Sequence, residues 1–62
     1  MLDIKSNTEI WINGDEYTGY FISADDTHIT IENYEMEVQV IPLSYVKRIK
    51  NRDTNKTISL NY

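Results

Sequence analysis

The feature that most constrains this chain is its period of two. β-branched and aromatic residues alternate with polar ones through most of the length, and no segment sustains an apolar stripe at helical spacing. That pattern predicts an all-β fold. The stretch IWINGDEYTGYFI, residues 10–22, shows it best. Asn13-Gly14 is the dipeptide that most readily accepts the positive backbone angles of a tight hairpin turn. Gly19 sits in the middle of a strand, where glycine weakens pairing and marks a sharp bend or a close backbone approach. A strand that bends at its centre can serve both halves of a small barrel.

The remaining strands follow from the turns between them. The expected strands are 8–13, 16–24, 28–34, 37–43 and 46–50, with Asp25-Asp26 as the second turn and Pro42 near the end of the fourth strand. Residues 58–62, ISLNY, are expected as a sixth strand, at an edge or swapped between subunits. Turns every 8 to 12 residues suit a meander that closes on itself. Alternation assigns Ile10, Ile12, Tyr17, Phe21, Ile29, Ile31, Val38, Val40, Val46 and Ile49 to the interior. Trp11, Tyr20, Ile22 and Ile41 fall on the other side.

The 62 residues make one domain, with a core at 8–50 and a tail at 51–62. A chain this short buries only about 60% of the surface it exposes when unfolded. Without cysteine there is no disulfide or thiolate metal site, so a closed sheet or self-association is left to stabilise it, and a homo-oligomer is expected. No apolar run approaches the length of a membrane span, and MLDIKSN lacks the basic start of a signal peptide. The expectation is a cytoplasmic protein that does not enter a membrane.

Charge is segregated along the chain. Residues 1–46 carry a net charge of −8, with Lys5 as the only base, whereas residues 47–62 carry +4 from Lys47, Arg48, Lys50, Arg52 and Lys56 against Asp53. An acidic protein of net charge −4 can therefore present a cationic patch. Alternation puts Arg48, Lys50 and Arg52 on one side, where they can clasp phosphates. The same residues also serve solubility, protect an edge strand, or meet the acidic body of a neighbouring subunit. Trp11, Tyr20 and Ile22 form a second candidate patch, which either stacks on bases, anchors a protein partner, or is covered by Leu2 and Ile4 of the N-terminal segment.

No catalytic constellation is present. Asp25-Asp26-Thr27-His28 places two carboxylates beside the one imidazole, but a metal site needs three or four converging ligands. Hydroxyls such as Ser23 and Ser44 lack a base with an orienting partner. A solvated turn is the expectation, with no enzyme activity, metal or cofactor.

Residues 8–50 resemble the Sm-like proteins, including bacterial Hfq. The resemblance rests on Ile10 and Ile12, Gly14, Gly19, Phe21 and Asp25, then Ile29 and Ile31, and on IPLSYVKRI with Val46 and Ile49 as packing positions. It implies a short N-terminal helix and a five-stranded, strongly bent antiparallel barrel of SH3-like type. It also implies a ring joined by the fourth strand of one subunit and the fifth of the next, with RNA bound around the pore. The base-reading positions differ, being Thr27, Ile29, Leu43 and Ser44 here. The resemblance therefore implies the barrel and the ring with a non-standard site.

These observations together lead to a non-enzymatic, ring-forming module. It would bind RNA or a small nucleotide through Lys47, Arg48, Lys50 and Arg52, with Trp11 and Tyr20 as the aromatic part, and would suit a nucleotide-sequestering, phage-encoded or regulatory protein. The alternative is a protein-binding adaptor or inhibitor that works through the aromatic face or a strand edge.

Overall fold

The computed structural model describes residues 4–60. It contains six strands: β1 (Glu9–Ile12), β2 (Tyr17–Ala24), β3 (His28–Glu32), β4 (Val38–Pro42), β5 (Arg48–Asn51) and β6 (Lys56–Ser59). They form one antiparallel sheet in the order β4-β3-β2-β1-β5-β6. A single 3₁₀ turn at Leu43–Tyr45 joins β4 to the β5 region, and there is no α-helix among the described residues. None of their segments is a helix long and apolar enough to cross a membrane. The all-β, antiparallel expectation holds. The sheet does not close into a barrel, because β4 and β6 remain as its two edges.

The expected N-terminal helix is a turn at Ser6 and Asn7, so far as the described residues reach. Asn7 has φ 69°, its N–H donates to the Phe21 carbonyl, and the Phe21 N–H donates back to Thr8. Leu2 lies outside the described residues. Ile4 packs against the core.

The bend predicted at Gly19 has a plain cause. A Cβ there would stand 2.4 Å from the Glu32 carbonyl oxygen and 3.0 Å from the Asn33 Cα, so the backbone at the end of β3 passes directly over this residue. The β2–β3 register then shifts between Phe21 and Ser23, a bulge that adds curvature. The curved inner face encloses Ile10, Ile12, Phe21, Ile29, Ile31, Ile41, Val46 and Ile49, with Ile4, Tyr17, Ala24, Leu43 and Leu60 packed around them. Each fully buried side chain of this size contributes about 1.5–3 kcal/mol relative to its exposed state.

One expectation about the core is wrong. Val38 and Val40 are exposed, and Ile41 is buried in their place. The register pairs Ile29 with Ile41 and Ile31 with Gln39, which puts the odd-numbered residues of β4 inside. VQVI is apolar on both faces, so alternation alone could not choose. The loop chooses: Asn33 N–H donates to the Glu37 carbonyl and closes a three-residue loop whose last member, Met36, has φ 66°.

The sixth strand exists, but begins two residues earlier than expected. Asn51 Oδ1 accepts from the Asp53 and Thr54 N–H groups, and left-handed Asn55 (φ 63°) tightens the loop between β5 and β6. Asn61 and Tyr62 lie outside the described residues. Because β6 pairs with β5 along its outer side, the edge of β5 needed for fourth-to-fifth strand joining is occupied within the same chain.

Candidate functional site

The basic strip and the aromatic patch, read separately from the sequence, fall on one face. Their union follows from the β1–β5 register, which sets Trp11 directly across from Lys50. The Arg52 N–H donates to the Glu9 carbonyl one step further along, so Arg52 flanks the same ring. Arg52 Cζ lies 4.2 Å from the Trp11 ring centroid and Lys50 Nζ lies 5.5 Å from it, both within cation–π range. The half-buried indole thus has two cations over its ring on the outer, non-core face of the sheet.

Glu9 orders the neighbourhood. Its Oε2 accepts the Tyr34 hydroxyl hydrogen and stands 3.9 Å from Arg52 Nη1. That bond, together with burial and the nearby carboxylate charge, raises the Tyr34 phenol above its usual range. Tyr34 also meets Tyr20 edge to face, with centroids 5.6 Å apart. Between these groups runs an open groove of about 600 Å³ lined by Trp11, Gly14, Asp15, Thr18, Tyr34 and Arg52. Arg48 reaches the Gly14 end, its Nη2 3.4 Å from where a Gly14 Cβ would stand. The groove is therefore lined by two aromatics, Trp11 and Tyr34, one cation, Arg52, and one carboxylate, Asp15, and it offers a flat ring with an attached anion a stacking surface beside a cation.

The other sequence candidates divide. Lys47 and Arg48 line a different, smaller groove of about 350 Å³ with Asn13, Glu16, Ser44 and Tyr45, and Lys47 does not line the Trp11 groove. Ile22 lies at the bulge, where its carbonyl accepts the Ser6 hydroxyl. Asp25 is engaged in its own turn, Oδ1 accepting from Thr27 N–H, Thr27 Oγ1 and His28 N–H. Those backbone donors hold the carboxyl below its usual range. No group of three or more His, Asp or Glu side chains converges among the described residues.

Two contributors were not visible in the sequence. Tyr34 lies past the end of β3, in the loop before β4, and only its contacts with Glu9 and Tyr20 place it at this site. Asn13 did more than make a turn: its Oδ1 accepts from Lys47 N–H (2.7 Å) and Arg48 N–H (3.3 Å), and its Nδ2 donates to the Tyr45 carbonyl at 3.1 Å. It fastens the first hairpin to the start of β5. A polar residue with φ 54° next to Gly14 was the available signal.

No protein family, curated protein or solved structure matches this chain.

Proposed function

We propose that this chain is a non-catalytic, ring-forming binding module of Sm-like type that holds a phosphate-bearing ligand, RNA or a small nucleotide, on the Trp11 face. The observation that carries the reading is the placement of Lys50 and Arg52 over the Trp11 ring, which joins a stacking surface to two cations. A base would stack on the indole or against Tyr34, while Lys50 and Arg52 meet phosphates. The bend at Gly19 and the placement of β4 and β5 on opposite sides of β1–β3 support the barrel-like part of the resemblance. Such a module acts by holding its ligand, as a sequestering or regulatory protein in the cytoplasm would.

Trp11 is the only tryptophan, so its fluorescence reads the site directly. Titration with a short single-stranded oligoribonucleotide or a mononucleotide is expected to quench it to saturation. If Lys50 and Arg52 each meet one phosphate of a single strand, log affinity falls with log salt with a slope of about −1.4, roughly 7-fold between 50 and 200 mM. Lys50→Ala with Arg52→Ala should remove binding. Salt-insensitive binding, or none, would overturn the reading. A second reading, strand addition by a protein partner, draws on the exposed Val38 and Val40 at the β4 edge.

A further inference from the structure

The sheet ends in two edges whose backbone directions can be worked out from the bonds that close each ladder. At β3–β4, Asn33 N–H donates to Glu37 at one end and Leu43 N–H to Thr27 at the other. Bonded and non-bonded pairs alternate along an antiparallel ladder. Ile31↔Gln39 and Ile29↔Ile41 are therefore the bonded pairs, and Val38 and Val40 aim both N–H and C=O at the open edge. Pro42 belongs to the same outward set, where the absence of an N–H costs no ladder bond.

The same reasoning applies at β5–β6. Leu60 N–H donates to Lys47, so Ile49↔Ile58 and Asn51↔Lys56 are bonded, and Thr57 and Ser59 aim outward. Each edge thus offers two residues, two positions apart, with a free donor and acceptor on each among the described residues. On both edges their side chains lie on the outer face, so joining them continues the sheet with its core sides aligned.

The β4 edge is the less protected one. Val38 is 61% exposed, Val40 60% and neighbouring Met36 83%, and the strand carries no lysine. Charge selects what can cover it. Glu35 and Glu37 precede β4 and Glu32 lies across from Val38, whereas Lys56 begins β6, with Arg48 across from Ser59 and Lys50 across from Thr57. Two β4 edges would set carboxylates against carboxylates, and two β6 edges would set cations against cations. Only β4 against β6 brings opposite signs together.

We propose that β4 of one copy pairs antiparallel with β6 of a second copy, Val38 opposite Ser59 and Val40 opposite Thr57. In this register each pair exchanges two backbone bonds. Glu32, Val38, Ser59 and Arg48 then form one row across the joint, and Glu37 lies beside Leu60 with Lys47 next to it. The contact is heterologous, since every copy keeps one free edge of each kind, and addition proceeds until a ring closes. This joint rests on the ring half of the proposed function and replaces the fourth-to-fifth strand contact that β6 blocks. It is independent of the ligand half.

Proline substitution tests the joint, because proline at an outward-facing position removes an intersubunit donor and leaves the chain's own ladder intact. Val40→Pro and Thr57→Pro are each expected to sediment as monomers at about 100 µM (well above a micromolar dissociation constant) where the wild type assembles. Mixed in equal amounts they should form a heterodimer, since one retains β6 and the other β4. A monomeric wild type, either variant assembling like the wild type, or a mixture that stays monomeric would overturn the proposal. Assembly by Thr57→Pro alone would identify a two-fold β4–β4 contact instead. Should a proline variant lose its β-sheet circular dichroism, Val40→Lys and Thr57→Glu take the same two roles with the same expected outcomes. Ligand titration of Val40→Pro separates the two halves, because a monomer that still quenches Trp11 keeps the ligand reading while reporting on the joint separately.

Discussion

Replacing Gly19 by alanine should destabilise the fold, although the backbone angle permits it. Gly19 is not in the left-handed region, so an added methyl would ordinarily stabilise a strand by about 0.4–1 kcal/mol through the unfolded chain. Here the new Cβ meets the Glu32 carbonyl oxygen at 2.4 Å and the Glu32 carbonyl carbon at 2.9 Å. Both are backbone atoms, held by the Tyr20↔Glu32 pairing and by the Asn33–Glu37 bond that closes the next hairpin. No rotamer can relieve the overlap, and the end of β3 must move. Overpacking of this kind costs about 1–3 kcal/mol. Taking its upper end and subtracting the entropic gain leaves a loss of about 2 kcal/mol. For a domain of this size that lowers Tm by roughly 8–16 °C. Thermal unfolding followed by circular dichroism, with urea unfolding alongside, measures it directly. An unchanged or raised Tm for Gly19→Ala would refute the close approach and the bend built on it.

Asn13→Gly keeps the positive backbone angle but removes three side-chain bonds, and should cost about 3 kcal/mol in urea unfolding at net bond values near 1 kcal/mol each. Asp25 has a folded pKa below its ordinary 3.8, so the stability it adds is full above that value and lost as pH falls through the lowered one; Asp25→Asn should flatten the acid limb of a Tm-versus-pH profile. Tyr34 has a folded pKa above its ordinary 10.0, so its contribution is full below pH 10 and is lost as pH rises through the raised value. Tyr45, bonded to Glu16, is raised likewise, and phenolate absorbance should show one late step fewer in Tyr34→Phe. Lys47→Glu with Arg48→Glu should lower the assembled mass first, whereas Lys50→Ala with Arg52→Ala should lower ligand affinity first.

The parts of the fold that local rules determine were legible: the all-β class, the Asn13-Gly14 turn, the approach at Gly19, and seven of the eight buried apolar core positions. What was not legible depends on register. Val38 and Val40 were placed inside because β4 is apolar on both faces, and a hairpin loop closed by left-handed Met36 decided between them. Tyr34 lies in the loop beyond β3, where alternation has no hold, and only its contacts with Glu9 and Tyr20 bring it to the site. The site was half legible. Residue types named both the aromatic and the basic patch, but only the pairing of β1 with β5, non-neighbours in sequence, shows that Trp11 lies under Lys50 and Arg52.

That pairing also divides the four cations that looked like one strip. Alternation along β5 turns Lys47 away from Trp11 and leaves Arg48 at the Gly14 end of the groove, in the row that reaches Ser59 and the β6 edge. Lys50 and Arg52 stay over the indole. An acidic chain with a cationic tail gains little from a cation that its own carboxylates neutralise, and Arg52 already shares Glu9 with Tyr34. A neighbour joined through β4 would bring Glu32, Glu35 and Glu37 to the Lys47 and Arg48 end, not to the Trp11 end. Head-to-tail assembly would then satisfy the acidic edge with one pair of cations and leave the other pair facing the groove. The separation is one of strand parity and distance along β5. Hence charge changes at 47–48 and at 50–52 should give different phenotypes, although they lie within six consecutive residues.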